Sequence, residues 1–407
     1  MAGRLPLSSS MLTLIEGGDV YAPEHLGRQS VLLVDGKIGI IGRVDRSDVE
    51  AIGLEVDVID ATGCLVCPGF IDPHQHLLGG SGEEGFASQT PEIHLSEIVR
   101  AGITTVVGTL GVDTTMKTMP GLLAKAKALK EEGLSAYIWS GGYDIPPTSI
   151  MKTVREDMMF IDEVIGAGEI AIADERATEP VIHELARVVT DTRMGGKLSK
   201  KAGVTHFHVG PGKRRMKCLQ DLIDCDQYEI DPSWLYPTHV ERSAALMRDA
   251  ISLTKQGCHV DIDVQEEDLV KWVTFYVDNG GDLAKLTVSS DASQKGPDTL
   301  FQQIRKCARG RRLPLPDLLA LVTRNTATVL GLEKKGRLET GADGDILVLE
   351  KDEFQLVHVL AHGKRMVTEG TVAVTEAFLE ESNRLISLRG EEDHDAEGIA
   401  EVAASQA

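Results

Sequence analysis

Cys67-Pro68-Gly69-Phe70-Ile71-Asp72-Pro73-His74-Gln75-His76 is the stretch on which the reading of this 407-residue chain turns. Successive side chains on a strand point to opposite faces, so two histidines one residue apart look the same way. An apolar lead-in ending in His-x-His therefore predicts a strand that delivers two imidazoles to one site. Imidazole is the commonest protein ligand for zinc and its neighbours. The plainer alternative is a pair of surface histidines in a loop, and the rest of the chain decides between the two.

Working outward, the residues before the stretch read as a small β region. Residues 12–16, 30–35 and 38–42 are short apolar strands, with Asp35-Gly36 as a hairpin turn between the last two, and residues 56–60 add another. From Gly69 the pattern changes to strand, helix, strand, helix. Strands are expected at residues 103–108, 136–140, 169–173, 204–209, 235–240, 259–264 and 286–290. Helices fall between them, from the Leu122, Ala126, Leu129 spacing through residues 158–165, 181–189, 219–223, 244–255 and 269–277 to 300–307. With the opening strand this makes eight strand–helix units, about the length of a (β/α)8 TIM-type barrel. A doubly wound sheet would show a Gly-rich phosphate loop after its first strand, and no G-x-G-x-x-G follows Phe70–Pro73. The glycines Gly79, Gly80, Gly82 and Gly85 come after the histidines and predict a mobile loop.

A helix over residues 316–330 is expected to end the barrel, and strands at 346–349 and 357–361 follow. The expected architecture is thus α/β, a barrel over residues 68–334 with a small β-sandwich domain built from both chain ends, residues 12–67 and 335–389. Residues 1–11 read as a disordered leader in which Met11 is an alternative start. Residues 390–407 read as a disordered, solvated acidic tail.

Sixty-three acidic residues against 42 basic ones leave a net charge of −21. That argues against nucleic acid or an anionic membrane as partner, since phosphate binding needs a basic face. The aromatic fraction of 4% offers no base-stacking platform. Cys64, Cys67, Cys218, Cys225, Cys258 and Cys307 have no disulfide-framework spacing, and Cys64-Leu-Val-Cys67 lacks the second pair of a zinc ribbon. Reduced thiols and a cytoplasmic protein are expected. No apolar run reaches the roughly 18 residues of a membrane span, and the first ten residues lack a secretory hydrophobic core.

Barrel active sites lie at the C-terminal ends of the strands. Taken in order, the strands supply His74 and His76 at the end of the first, Glu169 near the start of the fourth, His206 and His208 on the fifth, His239 on the sixth and Asp291 on the eighth. Nitrogen and carboxylate ligands converging on one rim describe a divalent-metal site, with one ion or with two roughly 3.5–4 Å apart. A bound ion would lower the pKa of its water to about 7, and Asp291 could take that proton and hand it to a leaving group. His206 shares a face with His208 and reads as a packed neighbour of the site.

These motifs resemble the metal-dependent amidohydrolase superfamily. Within it, His74-Gln-His76-Leu-Leu-Gly-Gly-Ser-Gly-Glu83, Gly141-Gly-Tyr143, Asp174-Glu-Arg176, Phe207-His208-Val-Gly, Pro237-Thr-His239-Val-Glu-Arg242 and Ser289-Ser-Asp291 resemble the isoaspartyl (β-aspartyl) dipeptidases, collinearly from Met11 to about Arg389. The resemblance implies a zinc-dependent dipeptidase hydrolysing β-aspartyl dipeptides by attack of hydroxide on the isopeptide carbonyl. It implies His74, His76 and Asp291 around one Zn2+, and His208 and His239 around a second. Glu83 would meet the substrate's α-ammonium, Arg176 and Arg242 its carboxylates, and Tyr143 would polarise the scissile carbonyl. A small dipeptide as the partner, and a homo-oligomer, are likewise implied.

The chain departs from that family's pattern in three places. Glu169 stands where a lysine carboxylated by CO2 usually bridges the metals, and no lysine lies between Lys152 and Lys197 to replace it. Glutamate keeps the negative charge and the oxygen donors but has a shorter reach, so it bridges only if its strand sits closer; metal binding independent of bicarbonate is expected. After Asp291 the run Ala292-Ser293-Gln294-Lys295 makes Ser293 a candidate substrate contact. In Gly111-Val112-Asp113 a valine takes the place of a hydroxyl. Either Glu83 or its neighbour Glu84 could face inward. Two other readings compete: a barrel that has lost catalysis and serves as a scaffold, and an amidohydrolase for another amide, such as an N-acyl amino acid or a cyclic imide.

Overall fold

The structure is a computed structural model that describes residues 11–51, 53–265, 267–379 and 382–383. Among the described residues, eight parallel strands succeed one another with helices between them: Phe70–Gln75, Ile103–Gly108, Ser135–Ser140, Val164–Ile172, Val204–Val209, Leu235–Thr238, Val260–Asp263 and Leu286–Ser289. The first six form one sheet and the last two a parallel pair. Gln75 bridges to Ala292 and the His76 N–H donates to the Ala292 carbonyl at 2.9 Å, which joins the last strand's end to the first. Between the sixth and seventh strands side chains do the joining: buried Asp261 accepts from the hydroxyls of Tyr236, Thr238, Thr287 and Ser289 at 2.5–3.3 Å. The result is the (β/α)8 barrel. Its strands are buried on both faces, as a parallel sheet covered by helices must be.

The helices form where local signals agree. Met119–Glu132 starts at Thr118, whose hydroxyl accepts from the Gly121 N–H, and carries Pro120 in its first turn. It stops at Gly133, left-handed at φ 112°, and turns Met119, Leu122, Ala126 and Leu129 into the core.

Two expected helices differ. The one expected over 158–165 is Val154–Phe160; Ile161 is already extended, and β-branched Val164 and Ile165 open the fourth strand instead. The one expected over 316–330 is two helices, Leu315–Leu321 and Arg324–Val329. The break frees the Val322 carbonyl to accept from Ile71 N–H of the first barrel strand at 2.8 Å.

The β part is a nine-stranded sheet drawn from both ends of the chain. Leu12–Tyr21, His25–Val34, Lys37–Gly42, Val56–Asp60 and Cys64–Pro68 come from the N-terminal side. Ile346–Glu350, Leu356–Ala361, Lys364–Thr368 and Thr371–Val372 come from the other. The two groups meet where Ile346–Glu350 runs antiparallel to Cys64–Pro68, with Val348 opposite Val66 and Ile346 opposite Pro68. Ile15, Val31, Leu33, Ile59, Val66, Ile346 and Leu360 make its core. The chain divides after Val374, and the short unit beyond carries a 3-10 turn at Ala377–Leu379. Of the expected leader, residues 1–10 lie outside the described residues, as does the expected tail, 390–407. All six cysteines are unpaired, and no helix among the described residues is long and apolar enough to cross a membrane.

Candidate metal centre

The first barrel strand carries the two histidines to the rim, and Asp72 holds that strand's end in place. Fully buried, Asp72 accepts from His74 N–H (3.2 Å), Gln75 Nε2 (2.7 Å) and Ser290 N–H beyond the eighth strand (3.1 Å). Burial pushes its carboxyl up to about 6, against the pull of those donors.

Glu169 lies within the fourth strand and is completely buried. Its reach comes from a β-bulge. Ala167 pairs with Thr205 and Ile170 with Phe207, so Gly168 and Glu169 together oppose the single residue His206. The bulge needs glycine: φ at Gly168 is +150°, and a Cβ there would lie 2.7 Å from that of His206. This geometry sets the Glu169 carboxylate among four histidines. Oε1 lies 3.3 Å from His74 Nε2 and 3.6 Å from His76 Nε2. Oε2 lies 3.2 Å from His208 Nδ1 and 3.8 Å from His239 Nε2. One carboxylate thus offers an oxygen to each pair of imidazoles. Asp291 Oδ1 completes the first pair's surroundings, 3.1 Å from His76 Nε2 and 3.3 Å from His74 Nε2. His239 and Asp291 sit at strand ends with left-handed backbones, φ 64° and 49°, a conformation that costs a non-glycine residue energy and is concentrated at functional sites.

Partners on the opposite ring nitrogens set which atom of each imidazole faces inward. His206 Nδ1–H donates to the Tyr236 carbonyl at 2.9 Å, so its Nε2 accepts from His74 Nδ1–H at 3.0 Å. His74 Nε2 therefore turns a lone pair into the cage. His239 donates Nδ1–H to Asp263 Oδ2 at 2.6 Å, which leaves its Nε2 free in the same way. His208 donates Nε2–H to Asp174 Oδ2 at 3.0 Å, leaving Nδ1 toward Glu169. Histidines that bind metals are held by such partners. His206 is the packed neighbour expected, stacked on Trp139 with ring centroids 5.0 Å apart.

The arrangement asks for a cation. His74 Nε2 and Glu169 Oε1, both fully buried, face each other as lone pairs at 3.3 Å with no donor between them. Ligands bound at about 2.0–2.2 Å in a tetrahedron stand about 3.3–3.6 Å apart. The four separations of the His74 and His76 nitrogens from Asp291 Oδ1 and Glu169 Oε1 run from 3.1 to 3.6 Å. His74, His76 and Asp291, and separately His74, Glu169 and His239, are grouped closely enough to share an ion. The electrostatics agree. Burial works to lower the His74 pKa, yet the Glu169 and Asp291 carboxylates raise it to about 10, so the cage draws a positive charge to Nε2, a place that a proton or a metal ion can fill. Burial likewise opposes ionisation of Glu169, and the His74 charge together with the His208 and His239 rings beside it nonetheless holds it well below the carboxylate range.

Four of the remaining expected residues line one side of this cage. Tyr143 is buried with its hydroxyl 2.8 Å from His208 Nδ1, and burial and the nearby Glu169 charge keep it protonated. Arg176 lies over its ring, 5.3 Å from the centroid. Arg176 Nη1 reaches both oxygens of Glu83, at 2.9 and 3.0 Å, so Glu83 rather than Glu84 faces inward, and the two charges expected to meet a substrate meet each other. Arg242 donates Nη1–H to the Val209 carbonyl at 2.8 Å and is part exposed. Ser293 stands by the Asp291 backbone: Gln265 Nε2 donates to Ser293 Oγ and to the Asp291 carbonyl, at 2.5 and 2.7 Å.

Asp174, Asp263, Asp72 and Gln265 received no role from sequence reasoning. Asp263 had a readable signal, since Val260-Asp-Ile-Asp263 alternates acids along an expected barrel strand and so aims both at one face.

Amidohydrolase family models match residues 65–221 and 291–372. The β-aspartyl dipeptidase of Fervidobacterium islandicum AW-1, solved in complex with the dipeptide β-Asp-Leu, is 35% identical with a TM-score of 0.85, over 90% of this chain and 98% of that one. A D-hydantoinase structure at 15% identity and TM-score 0.63 shares the fold. By sequence, the D-hydantoinase of Geobacillus stearothermophilus is 46% identical over 68 residues, 13% of its length, and adenine deaminase 2 of Rhizobium meliloti is 24% identical over 54% of its length. The chain thus spans about half or less of those two relatives.

Proposed function

We infer the reaction from one premise: the chain belongs to the β-aspartyl dipeptidases of the amidohydrolase superfamily. It hydrolyses the isopeptide bond of β-aspartyl dipeptides. The observation that carries this reading is the set of charges beside the cage, one carboxylate (Glu83) and two guanidiniums (Arg176, Arg242) next to a caged, bridging Glu169. A β-aspartyl dipeptide carries one free ammonium and two free carboxylates around its scissile carbonyl, which is the complementary set.

His74, His76 and Asp291 would hold one divalent ion, and His208 and His239 another, with Glu169 between them. The donor set of imidazoles and carboxylates suits Zn2+. Such ions supply an activated water at neutral pH and polarise the carbonyl. The rest falls to the protein's own groups. Glu83 exchanges Arg176 for the substrate ammonium, and Arg176 and Arg242 take its carboxylates as planar forks. Tyr143, kept protonated, donates to the carbonyl oxygen as negative charge develops there. Asp291 accepts the proton of the attacking water and passes it to the departing amine, so the products are aspartate and a free amino acid. Ser293, turned to Gln265, contributes a further contact on the rim.

The same reading divides the chain into a catalytic barrel, 68–334, and a β part, 12–67 with 335–389. It carries a homo-oligomer, as the family resemblance implies, and a cytoplasmic location, for which the unpaired thiols are the support. The test is turnover of β-Asp-Leu beside α-Asp-Leu and hydantoin, with metal content measured on the same sample. Cleavage of β-Asp-Leu alone is expected. Hydantoin or α-Asp-Leu turned over in its place would overturn the reading, and a fully metallated but inert protein would favour the scaffold.

A further inference from the structure

Asp174 stands two residues past the fourth strand, after Ala173 in a left-handed conformation at φ 51°. Its backbone is clamped by the loop after the fifth strand. Gly210 and Gly212 N–H donate to the Ile172 and Ala173 carbonyls at 2.9 and 2.8 Å, and a Cβ on Gly210 would fall 2.5 Å from that of Asp174. The side chain is buried, and both oxygens are fully used. Oδ1 accepts from the Arg176 backbone N–H and from Arg176 Nε, each at 2.9 Å. Oδ2 accepts from Arg176 Nη2 at 2.8 Å and from His208 Nε2–H at 3.0 Å. Resting on the dipeptidase reading, we propose that Asp174 is a positioning residue that serves two parts of the site at once, fixing the substrate-binding fork of Arg176 and the metal-binding tautomer of His208.

The tautomer depends on this carboxylate. Arg176 Nη2 and Arg242 Nη1 lie 3.1 and 3.2 Å from His208 Nε2. Both are donors. Asp174, accepting at the same nitrogen, keeps the proton on Nε2 and the lone pair on Nδ1, the atom that faces Glu169. Without that charge the guanidiniums become the better partners: Nε2 turns acceptor and the proton moves to Nδ1. His208 then presents N–H, not a lone pair, to the cage. The partition of Arg176 is equally specific. Buried Asp174 holds Nε and Nη2, while Nη1 rests on Glu83, whose side chain is 48% exposed. A substrate carboxylate therefore displaces Glu83 and leaves the Asp174 contact intact.

The experiment compares Asp174→Asn with Arg176→Gln, reading zinc affinity by competition with a chromophoric chelator and, separately, KM and kcat for β-Asp-Leu. In Asp174→Asn one zinc equivalent is expected to bind about 10–100-fold more weakly, with KM raised at least about fivefold. In Arg176→Gln only KM rises, and zinc affinity stays within about twofold. Wild-type zinc affinity in Asp174→Asn overturns the proposal, as does an equal loss of zinc in Arg176→Gln. If the amide variant is not recovered folded, Asp174→Ser carries the same expectations. Zinc affinity is read without substrate. A wild-type chain that leaves β-Asp-Leu intact would thus overturn the activity, while the zinc arm still decides the link between Asp174 and His208.

Discussion

Replacing Glu169 with glutamine keeps the shape of the bridging side chain and removes its charge. The carboxylate places one oxygen 3.3 and 3.6 Å from the His74 and His76 nitrogens and the other 3.2 and 3.8 Å from those of His208 and His239. Any ion bound between those atoms has the charge as a near neighbour. At an effective dielectric of about 20, a unit pair about 4 Å apart is worth about 4 kcal/mol. An uncharged amide relieves the cost of burying the carboxylate, which returns part of that sum. Between about 1.4 and 4 kcal/mol should remain, or roughly a 10- to 1,000-fold loss of zinc affinity. The assay is zinc content after dialysis against a chelator series, in CO2-free buffer and again with added bicarbonate. Wild type should load equally in both, because Glu169 brings its charge with it, and Glu169→Gln should load poorly in both. Wild-type metal content that rises with bicarbonate would refute the reasoning, and so would Glu169→Gln protein that binds zinc as tightly as wild type.

Three further outcomes are expected. Tyr143→Phe, which removes one buried hydroxyl beside the cage, should lower kcat for β-Asp-Leu about 100- to 1,000-fold with KM within a fewfold, checked by steady-state kinetics. Asp263→Asn weakens the partner that leaves His239 Nε2 free, and should cost about 10–100-fold in zinc affinity by the same chelator titration. His259 is buried on the seventh strand's approach, and burial pushes it down to about 4. Above its ordinary value of about 6.5 it is neutral folded or unfolded. As pH falls from about 6.5 to 4 only the unfolded chain takes the proton, so about 3 kcal/mol of stability is lost across that window. Urea unfolding of His259→Gln at pH 7 and pH 4.5 should show a correspondingly shallower acid loss.

The barrel and most of its ligands could be read from the sequence because both follow short-range rules. Strand alternation sets His74 and His76 on one face, and His208, His239 and Asp291 each stand at or just past the end of an apolar strand. What could not be read depends on neighbours distant in sequence. Whether Glu169 reaches both histidine pairs turns on a bulge whose extra residue is visible only against the fifth strand. The break in the helix expected over 316–330 answers to a hydrogen bond from Ile71, some 250 residues earlier. Tautomers depend on which ring nitrogens Asp174, Asp263 and His206 meet, and those hydrogen bonds join residues 24 to 132 positions apart. The expected helix over 158–165 failed for a local reason: apolar residues of a buried strand follow a helix directly, and periodicity alone does not separate the two.

The pairing of Ile346–Glu350 with Cys64–Pro68 has a consequence for the order of synthesis. Cys64–Pro68 runs straight into the strand that carries His74, and its apolar edge stays open until a segment some 280 residues later leaves the ribosome. Such distant pairing slows folding, and an unpaired apolar edge invites intermolecular pairing. A chain stopped before Ile346 would contain every proposed metal ligand and still leave the histidine strand's lead-in exposed. Truncations there should partition into aggregates, and a nascent chain would need shielding over that interval.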